Sequence, residues 1–273
     1  MKLNIVPARA GIQWVRLGVV TFLRQPLALS GLFFMLFAMT LTLLLLIPFV
    51  GALASAVLMP AGTLGMMAAT RTASQGKFPM PSVLLTAFRA GRQKTRDMLL
   101  LGAIYAAVLL LIHLVTLPFG TQMEGTSPAA PAASAASAAA SAAMANPMAQ
   151  PGLLLGMLLQ LPFLVLFSHA PALVYWHGLS PMKALFFSAV AFLRNFGAFV
   201  LFGLGWLLAL FAVGAVLSLF FAIFGSAPSL QAVSPVALLV MAAMCASMYF
   251  TFRDSFVTDE PASPLELPGG PPP

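Results

Sequence analysis

From residue 25 to residue 70 the chain carries no charged side chain, and the interval between Arg24 and Arg71 is filled mainly by Leu, Phe, Ala, Met and Val. A helix needs about 20 apolar residues to cross the hydrocarbon of a bilayer. The interval therefore holds two crossings, turned at the IPFVG stretch Ile47 to Gly51, and the pattern predicts helices over 27–47 and 50–70. Four further apolar runs predict crossings at 98–118, 152–176, 196–224 and 235–252. Six crossings return the C-terminus to the side from which the N-terminus starts. The first apolar run begins only after four cations and continues well past the length of a secretory signal core, so no cleaved leader is expected.

Placed on this topology, all thirteen Lys and Arg residues fall on the side of the termini. Lys2, Arg9, Arg16 and Arg24 precede the first crossing, and Arg71, Lys77, Arg89, Arg92, Lys94 and Arg96 lie between the second and third. Lys183 and Arg194 lie between the fourth and fifth, and Arg253 follows the sixth. The excess of Lys and Arg in cytoplasmic loops makes this side cytoplasmic. The expected fold is an all-α polytopic membrane helix bundle with short cytoplasmic interfacial helices. It divides into an amphipathic N-terminal segment 1–26, crossings one to three over 27–118 with a basic loop at 71–97, a periplasmic loop 119–151, crossings four to six over 152–252, and a tail 253–273. The periplasmic loop is an Ala/Ser/Pro-rich spacer, and the acidic, Pro-rich tail is expected to be disordered.

Composition agrees with the pattern. The chain is 61% apolar and 7% charged, against roughly 45–50% and about 25% in soluble domains. Its net charge of +7 would prompt a nucleic-acid partner in a soluble protein. Here helix orientation accounts for it, and no soluble domain is present to read a groove, so nucleic acid is not an expected partner. The single cysteine, Cys245, supports neither an intrachain disulfide nor a multi-cysteine metal site.

The basic loop repays closer reading. Pro79 and Pro81 mark a helix start, after which Arg89, Arg92 and Arg96 recur at i, i+3 and i+7 on one face, with Val83, Leu84, Ala87 and Phe88 largely opposite. That is the pattern of a helix lying in the membrane interface, its guanidinium groups among lipid phosphates. Arg9, Gln13 and Arg16 form a similar stripe before the first crossing, with Trp14 available as an interfacial anchor. These arginines are candidates for contact with lipid headgroups or an acidic protein partner; the plainer alternative is that they only orient the helices. A Phe and an Arg also precede three of the crossings, at Phe22/Arg24, Phe88/Arg89 and Phe192/Arg194. Once the Ala/Ser spacer is set aside the two intervals are comparable. Each unit would then be one short helix followed by two crossings, a three-fold internal repeat of a kind known among transporters.

The opening MKLNIVPARAGIQWVRLGVVTFLRQPLALSGLFF, the segment GKFPMPSVLLTAFRAGR and the ending YFTFRDSF resemble a family of uncharacterised integral membrane proteins of betaproteobacteria. The resemblance covers nearly the whole chain outside the spacer. It implies a bacterial inner membrane and a multi-helix architecture, and it transfers no catalytic residue.

Ionisable groups at membrane depth are functional suspects, and here they are His113, His169 and, at an edge, His177, with no Asp or Glu inside a predicted crossing. Dispersed histidines do not make a metal centre, no nucleotide or phosphate loop occurs, and neither an enzyme nor a cofactor is expected. Tyr105 and His169 each lie seven residues from the cytoplasmic end of their crossings, so their depths match and an interhelical hydrogen bond is expected between them; His113 and Gln160 form a second candidate pair in the outer halves. Pro60 and Pro171 are candidate helix breaks, of the sort that would expose carbonyls to a solute. The favoured function is a non-enzymatic scaffold or accessory protein, and the alternative is a small-solute transporter or channel built from the repeats.

Overall fold

Prolines stand at the first positions of several helices, where the missing N–H is one the helix would leave unbonded in any case. The computed structural model describes residues 2–119, 151–225 and 230–257. In chain order these form α1 (Ala10–Arg24), α2 (Pro26–Leu46), α3 (Pro48–Ser74), a 3-10 turn (Pro81–Leu85), α4 (Thr86–Arg89), α5 (Arg92–Thr116), α6 (Pro151–His177), α7 (Pro181–Arg194), α8 (Phe196–Ile223) and α9 (Leu230–Ser255). Two short strands, β1 (Lys2–Leu3) and β2 (Phe256–Val257), pair antiparallel with Lys2 opposite Val257. Six helices, α2, α3, α5, α6, α8 and α9, are long and apolar enough to span a membrane. They match the six predicted crossings, so the protein is an all-α polytopic bundle. The spacer and the tail beyond Val257 lie outside the described residues.

The units predicted from the Phe–Arg pairs are visible as α1–α2–α3, α4–α5–α6 and α7–α8–α9. The second spans, α3, α6 and α9, touch one another pairwise at the centre of the bundle. Each short helix packs on the second span of the preceding unit: the 3-10 turn and α4 on α3, α7 on α6, and α1, closing the circle, on α9. Among the first spans, α2 lies against α3 and α9, and α5 against α3 and α6. The remaining one, α8, breaks the rotation, leaning chiefly on α1. Its outward residues, such as Leu208 at 70% exposure and Phe211 at 68%, would be untenable in water but match acyl chains.

Four readings of the sequence are corrected. First, Arg89, Arg92 and Arg96 do not share one continuous helix, because Gly91 at φ 93° and ψ 161° separates α4 from α5, a conformation essentially reserved for glycine. Arg92 and Arg96 instead belong to the first turns of the third span, which starts at Arg92 rather than residue 98. Second, Trp14 is no interfacial anchor: it is fully buried, its ring centroid 5.2 Å from that of Phe199 and 6.1 Å from that of Phe202 on α8. Helix α1 approaches its neighbours closely, since a Cβ on Gly11 would overlap the Ala198 carbonyl and one on Gly18 would overlap Ser247. Third, α3 continues through Pro60 and α6 through Pro162 and Pro171 without a break. Fourth, the chain from Arg253 to Val257 is structured, finishing α9 and pairing with β1, because Phe256 is fully buried in the core.

Candidate functional site

The loops and short helices at the end of the bundle that carries β1 and β2 also bring the cations together. Three of them are engaged with the protein. Lys94 donates from Nζ to the Tyr175 carbonyl at 2.9 Å and stands 5.2 Å from that ring's centroid, while the Arg71 guanidinium lies 5.7 Å from the Trp176 ring. Both therefore sit at the C-terminal end of α6, where the helix dipole favours positive charge. Arg253 pairs with Asp254 at 2.8 Å. By contrast Arg9, Arg16, Arg24, Lys77, Arg89, Arg92, Arg96, Lys183 and Arg194 are exposed. Beside them, large apolar side chains are exposed as well, including Leu23, Phe78, Phe88, Phe186 and Leu193. Cations and apolar residues on one rim are what an interface between headgroups and acyl chains selects.

Inside this rim the segments around Asn4 and Asp254 are fastened by a polar clasp. Trp14 Nε1 donates to Asp254 Oδ2 at 2.8 Å, and the Asn4 side chain donates to the Asp254 carbonyl at 3.1 Å. The Asn4 backbone N–H meets the Ser255 carbonyl at 2.9 Å. Asn195, buried at the α7–α8 junction, accepts the Val6 N–H at 2.8 Å and donates to the Asn4 carbonyl at 3.0 Å. Sequence reasoning missed Asn195 and Asp254. One signal was available: Asn195 directly follows the Phe–Arg motif of the third unit, as Gln25 follows that of the first.

The predicted intramembrane contacts fall differently. Tyr105 packs its ring against Phe163 and Phe167 at 4.6 and 5.0 Å between centroids, whereas His169 Nε2 is 3.0 Å from Thr251 Oγ1 on α9. Tyr105 and His169 are therefore not partners. Phe167 faces α5, and His169, two residues on, is rotated about 200° away. The expected contact fails because His169 turns toward α9, away from α5. His113 is exposed on α5, Gln160 is half-buried on α6, and no hydrogen bond joins them. Between α6 and α7, Ser188 Oγ donates to the Val165 carbonyl at 3.0 Å and accepts the His169 N–H at 3.3 Å. His169 Nδ1 and His177 Nε2 are buried with no hydrogen-bond partner among the described residues. Among the described residues no group of three His, Cys, Asp or Glu side chains is placed to hold a metal ion.

A probable inner membrane protein of Burkholderia thailandensis is 33% identical over 276 aligned residues, with 97% of each chain covered. The chain belongs to this family of inner membrane proteins. No protein-family model matches it, and no solved structure does. Because the family match runs through almost the whole of both chains, inner-membrane location applies to the entire six-span bundle rather than to one part.

Proposed function

We propose that the protein is a non-enzymatic inner-membrane scaffold or accessory protein whose basic end faces the cytoplasm and holds anionic lipid headgroups, with an acidic protein as a further partner. The observation that carries this reading is the exposure of Arg9, Arg16, Arg89, Arg92 and Arg96 at one end, beside exposed apolar side chains. Attraction of a cation to an anionic leaflet contributes roughly 1 kcal/mol each. Gly91 does not weaken the argument, since Arg89 and Arg92 need only reach the same layer of phosphates, not share a helix face.

Reporter fusions test the orientation. Fusions after Gln93 should be active only with a cytoplasmic reporter, and fusions within 129–145 only with a periplasmic one; the reverse pattern would remove the proposal. Replacing Arg89, Arg92 and Arg96 together by Gln should lower phospholipid co-purification in mild detergent, with a smaller effect from Arg16→Gln. Unchanged retention would leave these arginines a purely topogenic role. A transporter is the competing reading, supported by the unpartnered imidazole nitrogens of His169 and His177, about two turns apart on α6. Solute uptake lost in His169→Leu but kept in the arginine variants would favour it.

A further inference from the structure

We infer that Arg24, Arg89 and Arg194 form a set of anionic-phospholipid sites, one for each repeat unit, disposed around the bundle by its cyclic packing. The inference rests on the reading that the basic end meets lipid, and it goes further in assigning the residues, the number of sites and the ligand. Each arginine is the last residue of the short helix of its unit, of α1, α4 and α7 respectively. Each is exposed, and none forms an ion pair or side-chain hydrogen bond among the described residues. The residue immediately before it is a large exposed apolar one: Leu23 at 67%, Phe88 at 38% and Leu193 at 70%. A second exposed apolar residue stands close by in sequence at each place, Leu27, Leu85 and Phe196.

This repeated trio matches one ligand chemistry. A guanidinium forms paired hydrogen bonds to a phosphate, which a lysine ammonium cannot reproduce, and the two apolar residues meet the upper part of an acyl chain. A soluble acidic peptide would use the charge but leave the apolar pair exposed to water. The three arginines stand at the same step in each unit, just before its first span, and the units follow one another around the central α3, α6 and α9. The sites are therefore separate positions on the perimeter rather than one patch.

Native mass spectrometry of the full chain released from nanodiscs of mixed phosphatidylglycerol and phosphatidylcholine tests this. The wild type should retain up to three phosphatidylglycerol molecules. Arg24→Gln and Arg194→Gln should each lower that maximum by one, and the triple Gln variant should lose all three retained molecules, keeping only the weaker, salt-sensitive preference of the remaining exposed arginines. Lys77→Gln and Lys183→Gln, exposed cations outside the set, should leave the maximum unchanged. A triple Arg→Lys variant preserves charge and serves as the folding control; it should lose its phosphatidylglycerol at lower salt than the wild type. Equal losses from Lys77→Gln and Arg24→Gln would overturn the assignment while leaving a diffuse basic face intact. Absence of any preference for phosphatidylglycerol in the wild type would overturn both.

Discussion

Asp254 is a single carboxylate with an outsized set of duties: one oxygen receives the Trp14 indole, the other Arg253, and its backbone carbonyl receives Asn4. Trp14→Phe would delete the indole donor together with part of the ring packed against α8. A hydrogen bond to a charged group is worth about 1.5–3 kcal/mol, so this variant should unfold in detergent at a clearly lower denaturant concentration than the wild type. The His169–Thr251 pair should show less. Double-mutant cycles in membrane proteins average about 0.6 kcal/mol for such bonds, and His169→Leu with Thr251→Val should be non-additive by that order, whereas Tyr105→Phe with His169→Leu should be additive. Both histidine and tyrosine were legible as polar residues within spans, since an uninterrupted apolar run fixes which residues fall inside it. Their partners were not, because azimuth depends on which neighbour lies on which side, and that is set by packing of the whole bundle.

At the scale of elements, the spans were legible almost to their ends because hydrocarbon demands an uninterrupted apolar run. The short helices were only half legible. Periodicity identified α1 as amphipathic but could not say whether lipid or protein covers its apolar face, and the answer is α8 and α9. The arginine stripe failed for a local reason: the i, i+3, i+7 spacing assumed one helix running through position 91, where the backbone conformation of Gly91 makes a boundary. Gly91→Ala should therefore destabilise the α4–α5 junction by about 1–3 kcal/mol. Limited proteolysis of purified protein is the check, with cleavage near residues 89–92 faster than in the wild type; unchanged rates would mean the junction relaxes without strain.

Across the whole molecule, the three units are arranged as a ring whose last member meets the first, with β1 beside β2 and α1 on α9. The chain order of the units should then be dispensable. A permutant that begins at Leu179 and ends at Gly178, with Val257 joined to Lys2 by a short linker, keeps both new ends at the basic rim and opens an exposed connection between α6 and α7. It should give a monodisperse profile in fluorescence-detected size exclusion, and the same orientation by reporter fusions. Aggregation of this permutant, alongside a well-behaved wild type, would show that unit order matters to assembly.

The seating of α1 against α8 and α9 also sets a timetable for biosynthesis. Helix α1 leaves the ribosome first, yet the surfaces that bury Trp14, Gly11 and Gly18 are among the last to be translated. Domains generally acquire structure as they emerge, but this helix must wait through the synthesis of six spans. During that interval its apolar side needs a temporary cover, which the bilayer surface supplies. Ribosomes stalled before α9 should thus carry an N-terminal segment still open to protease and to lipid, and it should become protected only when the final helix arrives.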